Sequence, residues 1–273
     1  MSLKSDSDAR PIGVFDSGIG GLTVASALAK TLPNEQLIYF GDTVHLPYGE
    51  KSAAAIRTYA TGIGKFFMEQ NCKAVVIACN TASAVATLTM TKLLTAKIPV
   101  INVIDPTAKH VAEKYKKGKI GVIATKATVN SRIYAKRIEK KNPNLKVTML
   151  ATPLLVAMIE EGFFNNNISQ AIINAYLEKS NLRNIQALIL GCTHFPLIKN
   201  EVSSYYKGKT NVIDSSELVA EDTRKVLEKN NILHTGKPMA HQFYVSDLTP
   251  SFTESTRIFF GKKVKLSAVN LWD

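Results

Sequence analysis

The sequence predicts an α/β protein of two similar lobes, each with a parallel sheet flanked by helices. Three observations support this prediction: short apolar runs recur along the chain, amphipathic stretches separate them, and the pattern of the first half returns in the second. Continuous apolar runs, rather than alternating ones, are typical of strands that helices cover on both faces. Strands alternating with helices indicate βα units and therefore parallel sheets.

Nine segments have the length and composition of such strands. In chain order they cover residues 12–15, 37–40, 75–78, 100–103, 119–124, 145–150, 187–190, 211–213 and 242–245. The clearest amphipathic stretches, which we predict to be helices, cover residues 52–69, 128–140 and 168–177.

The internal repeat links the two halves of the chain. Ile12-Gly13-Val14-Phe15 is echoed by Ile120-Gly121-Val122-Ile123, and each half continues to a strand that ends at a cysteine. The proline of Asp105-Pro106 marks a break between the halves. We expect the chain to return to the first lobe at its end. The predicted lobes are residues 1–104 with 212–273, and residues 105–211.

Composition limits the class of protein. The chain has 273 residues, of which 45% are hydrophobic and 21% charged, as in ordinary soluble globular proteins. No apolar run approaches the roughly 20 residues that span a bilayer. Residues 1–10 are polar and lack the apolar core of a secretory signal, so we expect a frayed leader and a cytoplasmic protein with no membrane partner.

The net charge of +12 allows two interpretations. Lysines cluster within residues 114–119 and 136–146, which could indicate nucleic-acid binding. No nucleic-acid motif accompanies them, so we favour a solvated basic face and expect no nucleic-acid partner. A positive field would also attract a small dianionic substrate.

The three cysteines carry the clearest chemical signal. An odd, small number argues against a disulfide framework, and no cysteine or histidine spacing suggests zinc. Cys79 and Cys192 each follow a predicted strand and precede a helix, whereas Cys72 precedes its strand and is expected to be structural. Because the carboxyl ends of parallel strands face the ligand crevice, the two thiols suggest a matched pair of acid/base groups. The start of a helix after Cys79 should lower the pKa of that thiol.

Several polar residues beside these strands have two interpretations each. Asp16 opens a glycine-rich turn after the first strand and is either a helix cap or a catalytic carboxylate. That turn could hold an anion but lacks the dinucleotide-binding spacing. His194 is either part of a dyad with Cys192 or a satisfied buried histidine. Asn80 and Thr81 fit helix caps, while Thr125 and Thr128 fit either a cap or a carboxylate site.

Two further segments, taken alone, indicate only a turn and a helix end. Pro47-Tyr48-Gly49 is typical of a rigid turn. Glu160 and Glu161 precede Gly162 and fit a helix end.

Taken together, these segments resemble the glutamate racemase family within the aspartate/glutamate racemase superfamily. They occur in the family's order and with fitting spacing. The matching stretches are Phe15-Asp16-Ser17-Gly18-Ile19-Gly20-Gly21, Gly41-Asp42-Thr43, Pro47-Tyr48-Gly49, Ala78-Cys79-Asn80-Thr81-Ala82-Ser83 and Gly191-Cys192-Thr193-His194-Phe195-Pro196-Leu197.

The resemblance implies an active site between the lobes and cofactor-independent interconversion of L- and D-glutamate, which supplies D-glutamate for peptidoglycan precursors. It implies that Cys79 and Cys192 are the acid/base thiols, that Asp16 assists Cys79 and that His194 assists Cys192. Glu160 matches a family acidic residue near the second thiol, although its context, Ala157-Met158-Ile159-Glu160, departs from the family pattern. The implied substrate-binding residues are Ser17, Tyr48, Gly49, Asn80, Thr81, Thr125, Thr128 and Thr193.

The resemblance also implies partners and leaves alternatives. The expected partners are L- and D-glutamate, a second copy of the chain in a dimer, and a cell-wall precursor as activator; no metal or cofactor is expected. The alternatives are an aspartate or hydantoin racemase of the same build, a two-lobed protein that binds a small anion, and a redox protein that pairs Cys79 with Cys192.

Overall fold

The computed structural model describes residues 8–95 and 98–272, and in that part of the chain every strand pairing is parallel. Of the polar N-terminal segment, residues 1–7 lie outside the described residues. The strands are β1 (Ile12–Asp16), β2 (Leu37–Gly41), β3 (Ala74–Ile77), β4 (Val100–Asn102), β5 (Gly118–Ala124), β6 (Leu145–Ala151), β7 (Ala187–Gly191), β8 (Asn211–Ile213), β9 (Gln242–Val245) and β10 (Leu266–Ala268).

Helices connect these strands. They are α1 (Leu22–Thr31), α2 (Ala53–Glu69), α3 (Asn80–Leu94), α4 (Ile104–Lys114), α5 (Lys126–Ser131), α6 (Ile133–Lys141), α7 (Pro153–Glu160), α8 (Asn167–Leu177), α9 (Lys199–Tyr206), α10 (Ser215–Lys229) and α11 (Pro250–Phe260). Short 3₁₀ turns occur at Thr43–His45, Tyr48–Glu50, Ser180–Leu182 and Phe195–Ile198. Across the described residues, none of these helices has the length and apolar character needed to cross a membrane.

The strands form two sheets with the same central order, which confirms the predicted fold class. The first sheet has the order β10-β9-β2-β1-β3-β4, and the second has the order β6-β5-β7-β8. Thus β2-β1-β3-β4 and β6-β5-β7-β8 are equivalent, as the repeated Ile-Gly-Val segments predict. β9 and β10 follow the second sheet in sequence but extend the first, and β8 belongs to the second. The lobe boundaries at 104/105 and 211/212 stay a prediction.

Two buried clusters explain why the strands read as continuous apolar runs. Along β1, Val14 packs into one cluster and its neighbour Phe15 into the other, because successive strand side chains point to opposite faces. The second cluster lies between the first sheet and the helices α2 and α3. The first cluster is continuous from Val14 of one sheet to Val122 of the other, so the two lobes share one core.

The structure departs from the sequence prediction at two elements. The helix predicted over 128–140 is interrupted at Arg132, which adopts left-handed backbone angles (φ 54°, ψ 22°) between α5 and α6. No glycine or proline marks this break in the sequence. The sequence does not predict β10, because Leu266-Ser267-Ala268 is not a continuous apolar run.

Candidate active site

A cavity of about 180 Å³ lies where the carboxyl ends of β1 and β3 meet those of β5 and β7. Both Cys79 and Cys192 line it, one from each lobe. This volume is well below the roughly 300–1,000 Å³ of drug-sized pockets, so the cavity suits a small molecule. Of the thirteen residues that the sequence assigned to the site, all line the cavity except Asp16 and Thr128, which are fully buried behind it. Cys72 is buried in the second core cluster instead.

Cys79 is itself the N-cap of α3, a position predicted for Asn80 or Thr81. Its sulfur accepts a hydrogen bond from the backbone N–H of Ala82 at 3.4 Å and lies 3.6 Å from the hydroxyl of Ser17. Burial, and then the charge of Asp16, raise the pKa of the Cys79 thiol to about 12 against these two hydrogen bonds. The predicted lowering of this pKa is therefore wrong, because desolvation outweighs the helix terminus.

Asp16 lies at the end of β1, directly behind the cavity. One carboxylate oxygen accepts hydrogen bonds from the backbone N–H groups of Gly18 at 3.1 Å and Gly21 at 2.9 Å. Burial raises the pKa of this carboxyl, and the charge of His194 and the backbone N–H groups oppose the rise. Its other oxygen, Oδ1, has no hydrogen-bond partner among the described residues. Asp16 is not the N-cap of α1, since Gly21 occupies that position.

Cys192, His194 and Glu160 form a linear arrangement in the second lobe. Nδ1 of His194 lies 3.7 Å from the sulfur of Cys192, and Nε2 lies 2.9 Å from Oε1 of Glu160. Burial lowers the pKa of the His194 imidazole, but its hydrogen bonds with Cys192 and Glu160 outweigh burial and raise that pKa to about 10. The imidazole is therefore protonated at neutral pH and presents a cation to the sulfur. Glu160, at the end of α7, contacts the histidine rather than the thiol.

A glycine makes room for this histidine. A Cβ at Gly20 would lie 2.4 Å from Cε1 of His194 and 2.7 Å from Oγ1 of Thr193. The glycine-rich turn of the first lobe therefore packs directly against His194 of the second lobe.

Three threonine hydroxyls join the lobes at one wall of the cavity. Oγ1 of Thr81 lies 2.9 Å from Oγ1 of Thr125 and 3.4 Å from that of Thr128, while Thr125 and Thr128 are 3.1 Å apart. We call these three residues the threonine cluster. Thr125 also caps α5, which confirms the cap interpretation, while its role at a carboxylate site stays a prediction. Thr81 and Thr125 line the cavity, so their hydroxyls can donate to a carboxylate that enters it, whereas Thr128 contacts them from behind.

Asn80 presents its amide to the cavity in a fixed orientation. Its oxygen accepts a hydrogen bond of 2.6 Å from the hydroxyl of Tyr134, a residue outside the sequence motifs. The amide nitrogen Nδ2 is buried and has no partner among the described residues. It is therefore available as a donor to an anionic ligand.

Residues from turns and loops of both lobes line the rest of the cavity. Tyr48 and Gly49 line it from the 3₁₀ turn Tyr48–Glu50, and Ser17 and Thr193 line it from the loops after β1 and β7. Glu50 and Lys126 also line it and form an ion pair of 3.3 Å between the lobes. Among the residues that the structure describes, no group of three or more His, Cys, Asp or Glu side chains is arranged to hold a metal ion.

Comparison with known proteins gives a consistent result. The family model described as Asp/Glu/Hydantoin racemase matches residues 18–223. The chain is 42% identical over 257 residues to the glutamate racemase of Neisseria meningitidis serogroup A, covering 94% of each chain. It is 40% identical over 266 residues to the glutamate racemase of Chlorobaculum parvum, covering 97% of each.

Solved structures show the same similarity. The glutamate racemase of Francisella tularensis in complex with D-glutamate has a TM-score of 0.91 and 43% identity, over 97% of this chain and 98% of that one. The Escherichia coli glutamate racemase in complex with L-glutamate and the activator UDP-MurNAc-Ala has a TM-score of 0.75 and 27% identity, over 96% and 98%. An aspartate racemase from Picrophilus torridus, with a TM-score of 0.56 and 20% identity over 81% of this chain and 99% of that one, shares the fold.

Proposed function

Because the chain belongs to the Asp/Glu/hydantoin racemase family, we propose that it interconverts L- and D-glutamate with Cys79 and Cys192 as its two acid/base groups. The observation that carries this proposal is the pair of sulfurs in one small cavity, each at the end of an equivalent strand in the two repeated sheets. A racemase needs one base and one acid on the two faces of the α-carbon, and a two-lobed cleft delivers one group from each lobe.

The reaction replaces the α-proton by another proton on the opposite face of the α-carbon. The thiolate of one cysteine takes the α-proton and becomes a thiol, the electron pair of the C–H bond stays on the α-carbon and its carboxylate, and the other thiol gives a proton to the opposite face. The roles of the two sulfurs exchange with the enantiomer. The raised pKa of Cys79 fits the thiol role, whereas the protonated imidazole beside Cys192 supplies the positive charge that a thiolate needs.

The cavity wall supplies stabilisation for the developing charge. The α-proton of an amino acid is very weakly acidic, so the carbanion needs donors that are already in place. The amide of Asn80, the threonine cluster and the hydroxyls of Ser17 and Thr193 are such donors. We propose that they hold the two carboxylates and the amino group of the substrate. No cofactor or metal takes part in this scheme.

The test separates this activity from the alternatives. Purified protein is incubated in D₂O with L-glutamate, D-glutamate, each enantiomer of aspartate or a substituted hydantoin, and chiral chromatography and α-proton NMR follow the products. We expect inversion with uptake of deuterium at the α-carbon of glutamate, undiminished by EDTA. Faster inversion of aspartate or hydantoin would reassign the substrate. Binding without exchange would favour a small-anion-binding protein, and loss on EDTA with restoration by zinc would exclude the two-thiol scheme.

We extend the proposal to partners and location. The product, D-glutamate, would enter peptidoglycan precursors in the cytoplasm, where these are assembled. The Escherichia coli relative was crystallised with the activator UDP-MurNAc-Ala, which supports a test of the same compound on this chain. We also propose a homodimer, which sedimentation velocity would measure. An unchanged kcat/KM with the compound, or a monomer at micromolar concentration, would reject the respective extension.

A further inference from the structure

Asp42 is a buried carboxylate that the proposed mechanism does not use. It belongs to the Gly41-Asp42-Thr43 segment and follows β2 directly. Its side chain is fully buried and does not line the cavity. A buried charge is costly unless hydrogen bonds compensate it, so its partners indicate what it does.

Three side chains donate hydrogen bonds to this carboxylate. The hydroxyl of Tyr48 lies 2.6 Å from Oδ2, the hydroxyl of Ser246 lies 3.0 Å from Oδ1, and Nδ1 of His45 lies 2.9 Å from Oδ2. The backbone N–H of Asp42 also donates to the backbone oxygen of Asp16 at 3.0 Å. One residue therefore ties the end of β2 to the end of β1 and to the turn that follows.

Tyr48 is the partner that reaches the cavity. Burial, and then the charge of Asp42, raise the pKa of its hydroxyl well above the ordinary value, so the group remains protonated and donates. Since its one proton is given to Asp42, the hydroxyl is not a donor to the substrate. Tyr48 instead offers the cavity its ring and the backbone of its turn, and both are placed by the bond to Asp42.

The turn that carries Tyr48 is packed closely against the opposite lobe. A Cβ at Gly49 would lie 2.9 Å from Cβ of Thr125, and Thr125 shares its hydroxyl with Thr81. At Gly49 the turn is therefore in close contact with Thr125 of the second lobe. A shift of Tyr48 would therefore displace the threonine cluster.

His45, another hydrogen-bond partner of Asp42, is held by aromatic packing. The ring of His45 stacks on Tyr59 with centroids 3.8 Å apart and meets the edge of Trp272 at 4.7 Å. Asp42 thus lies between a rigid aromatic group and the wall of the cavity.

We propose that Asp42 is a positioning residue for the racemase: by accepting the Tyr48 hydroxyl, it holds the turn Tyr48–Glu50 against the threonine cluster that binds the substrate carboxylate. This inference rests on the proposed function. It predicts an effect on substrate affinity rather than on proton transfer, because neither Asp42 nor the Tyr48 hydroxyl touches a thiol among the contacts described.

The experiment compares Tyr48→Phe and Asp42→Asn with the control Ser246→Ala. The control removes another hydrogen bond to the same carboxylate from a residue outside the cavity lining. Initial rates from L- and D-glutamate give kcat and KM, calorimetry with D-glutamate gives Kd, and thermal denaturation gives stability. We expect Tyr48→Phe and Asp42→Asn to raise KM and Kd about 10-fold, as for loss of one charged hydrogen bond, with kcat within about threefold. Ser246→Ala should lower Tm but leave KM and Kd within about twofold.

Further outcomes decide the inference. The double variant Asp42→Asn with Tyr48→Phe should bind no more weakly than the weaker single variant, because both changes remove one interaction. Wild-type affinity in Tyr48→Phe, or an equal loss of affinity in Ser246→Ala, would overturn the positioning role. If Asp42→Asn does not fold, the comparison of Tyr48→Phe with Ser246→Ala still tests the positioning role. Wild-type protein that binds D-glutamate without racemising it would reject the proposed function and leave the affinity comparison intact.

Discussion

The sulfur of Cys192 lies 3.7 Å from Nδ1 of His194, whereas the sulfur of Cys79 accepts a hydrogen bond from the N–H of Ala82 and donates one to the hydroxyl oxygen of Ser17. The two thiols therefore have equivalent places in the repeated fold but different electrostatic surroundings. His194 provides a positive charge to one, and buried Asp16 provides a negative field to the other.

This difference predicts the order in which the thiols react with an alkylating reagent. Thiolates react and thiols do not, so iodoacetamide at pH 7.5 should label Cys192 before Cys79. Cys72 should label last, because burial raises the pKa of its thiol to about 12 and it lies outside the cavity. Peptide mass spectrometry over time measures all three. His194→Asn should slow the labelling of Cys192; labelling of Cys79 first would contradict the assignment of charges.

Replacement of either cavity thiol should stop the reaction. A serine hydroxyl is a far weaker acid than a thiol, so Cys79→Ser and Cys192→Ser should each reduce kcat by at least about 1,000-fold. Serine is a good N-cap, and Cys79→Ser should therefore keep its fold. Cys72→Ala is the control, with near-normal kcat and a small loss of stability. Comparable inactivity in folded Cys72→Ala would show that the pair has been wrongly identified.

Replacing the residues that assist the two thiols should affect the L-to-D and D-to-L reactions unequally. If Asp16 serves Cys79 and His194 serves Cys192, Asp16→Asn and His194→Asn weaken different faces of the site. The equilibrium constant between enantiomers is one, so kcat/KM must fall equally in both directions. The asymmetry must appear in kcat and KM separately, and in the isotope effect of each direction.

Initial rates from L- and D-glutamate, protiated and α-deuterated, measure that asymmetry. The two variants should show opposite patterns. Identical patterns would mean that Asp16 and His194 only shape the cavity.

The protonation state of His194 should depend on Glu160. The pKa of His194 is raised to about 10 by Cys192 and Glu160, so its imidazole should stay protonated from pH 6 to pH 9. Glu160→Gln removes a negative partner of the protonated form, and the pKa should therefore fall. Nitrogen-15 NMR of the imidazole measures the titration midpoint of His194 in the wild type and in Glu160→Gln. His110 is the internal control, because burial and Lys114 lower its pKa below 6.5. Titration of wild-type His194 near 6.5 would contradict the arrangement.

Much of the fold could be predicted from the sequence, because the patterns that mark its strands are local. The strands from β1 to β9 are short apolar runs between turns, and the cysteines mark the strand ends that face the cavity. β10 and the break at Arg132 carry no such local signal.

The contacts inside the site were harder to predict from the sequence. Tyr134 lies 54 positions from Asn80, and Ser246 lies 204 positions from Asp42, so spacing cannot pair them. The pKa of Cys79 depends on how closely the lobes bury it, and the sign predicted from the helix terminus was wrong. Glu160 was placed near the second thiol, but only the packed structure shows that His194 lies between them.

The placement of β9 and β10 has a consequence for how the chain folds as it is made. The first sheet begins with Ile12 but is not complete until Ala268 has been added, since β9 pairs with β2 and β10 pairs with β9. The second sheet, from Gly118 to Ile213, is continuous in sequence and can pair all its strands earlier during synthesis. The edge of β2 therefore stays open on the ribosome until β9 has emerged, and the sheet whose first strand is made first is completed last.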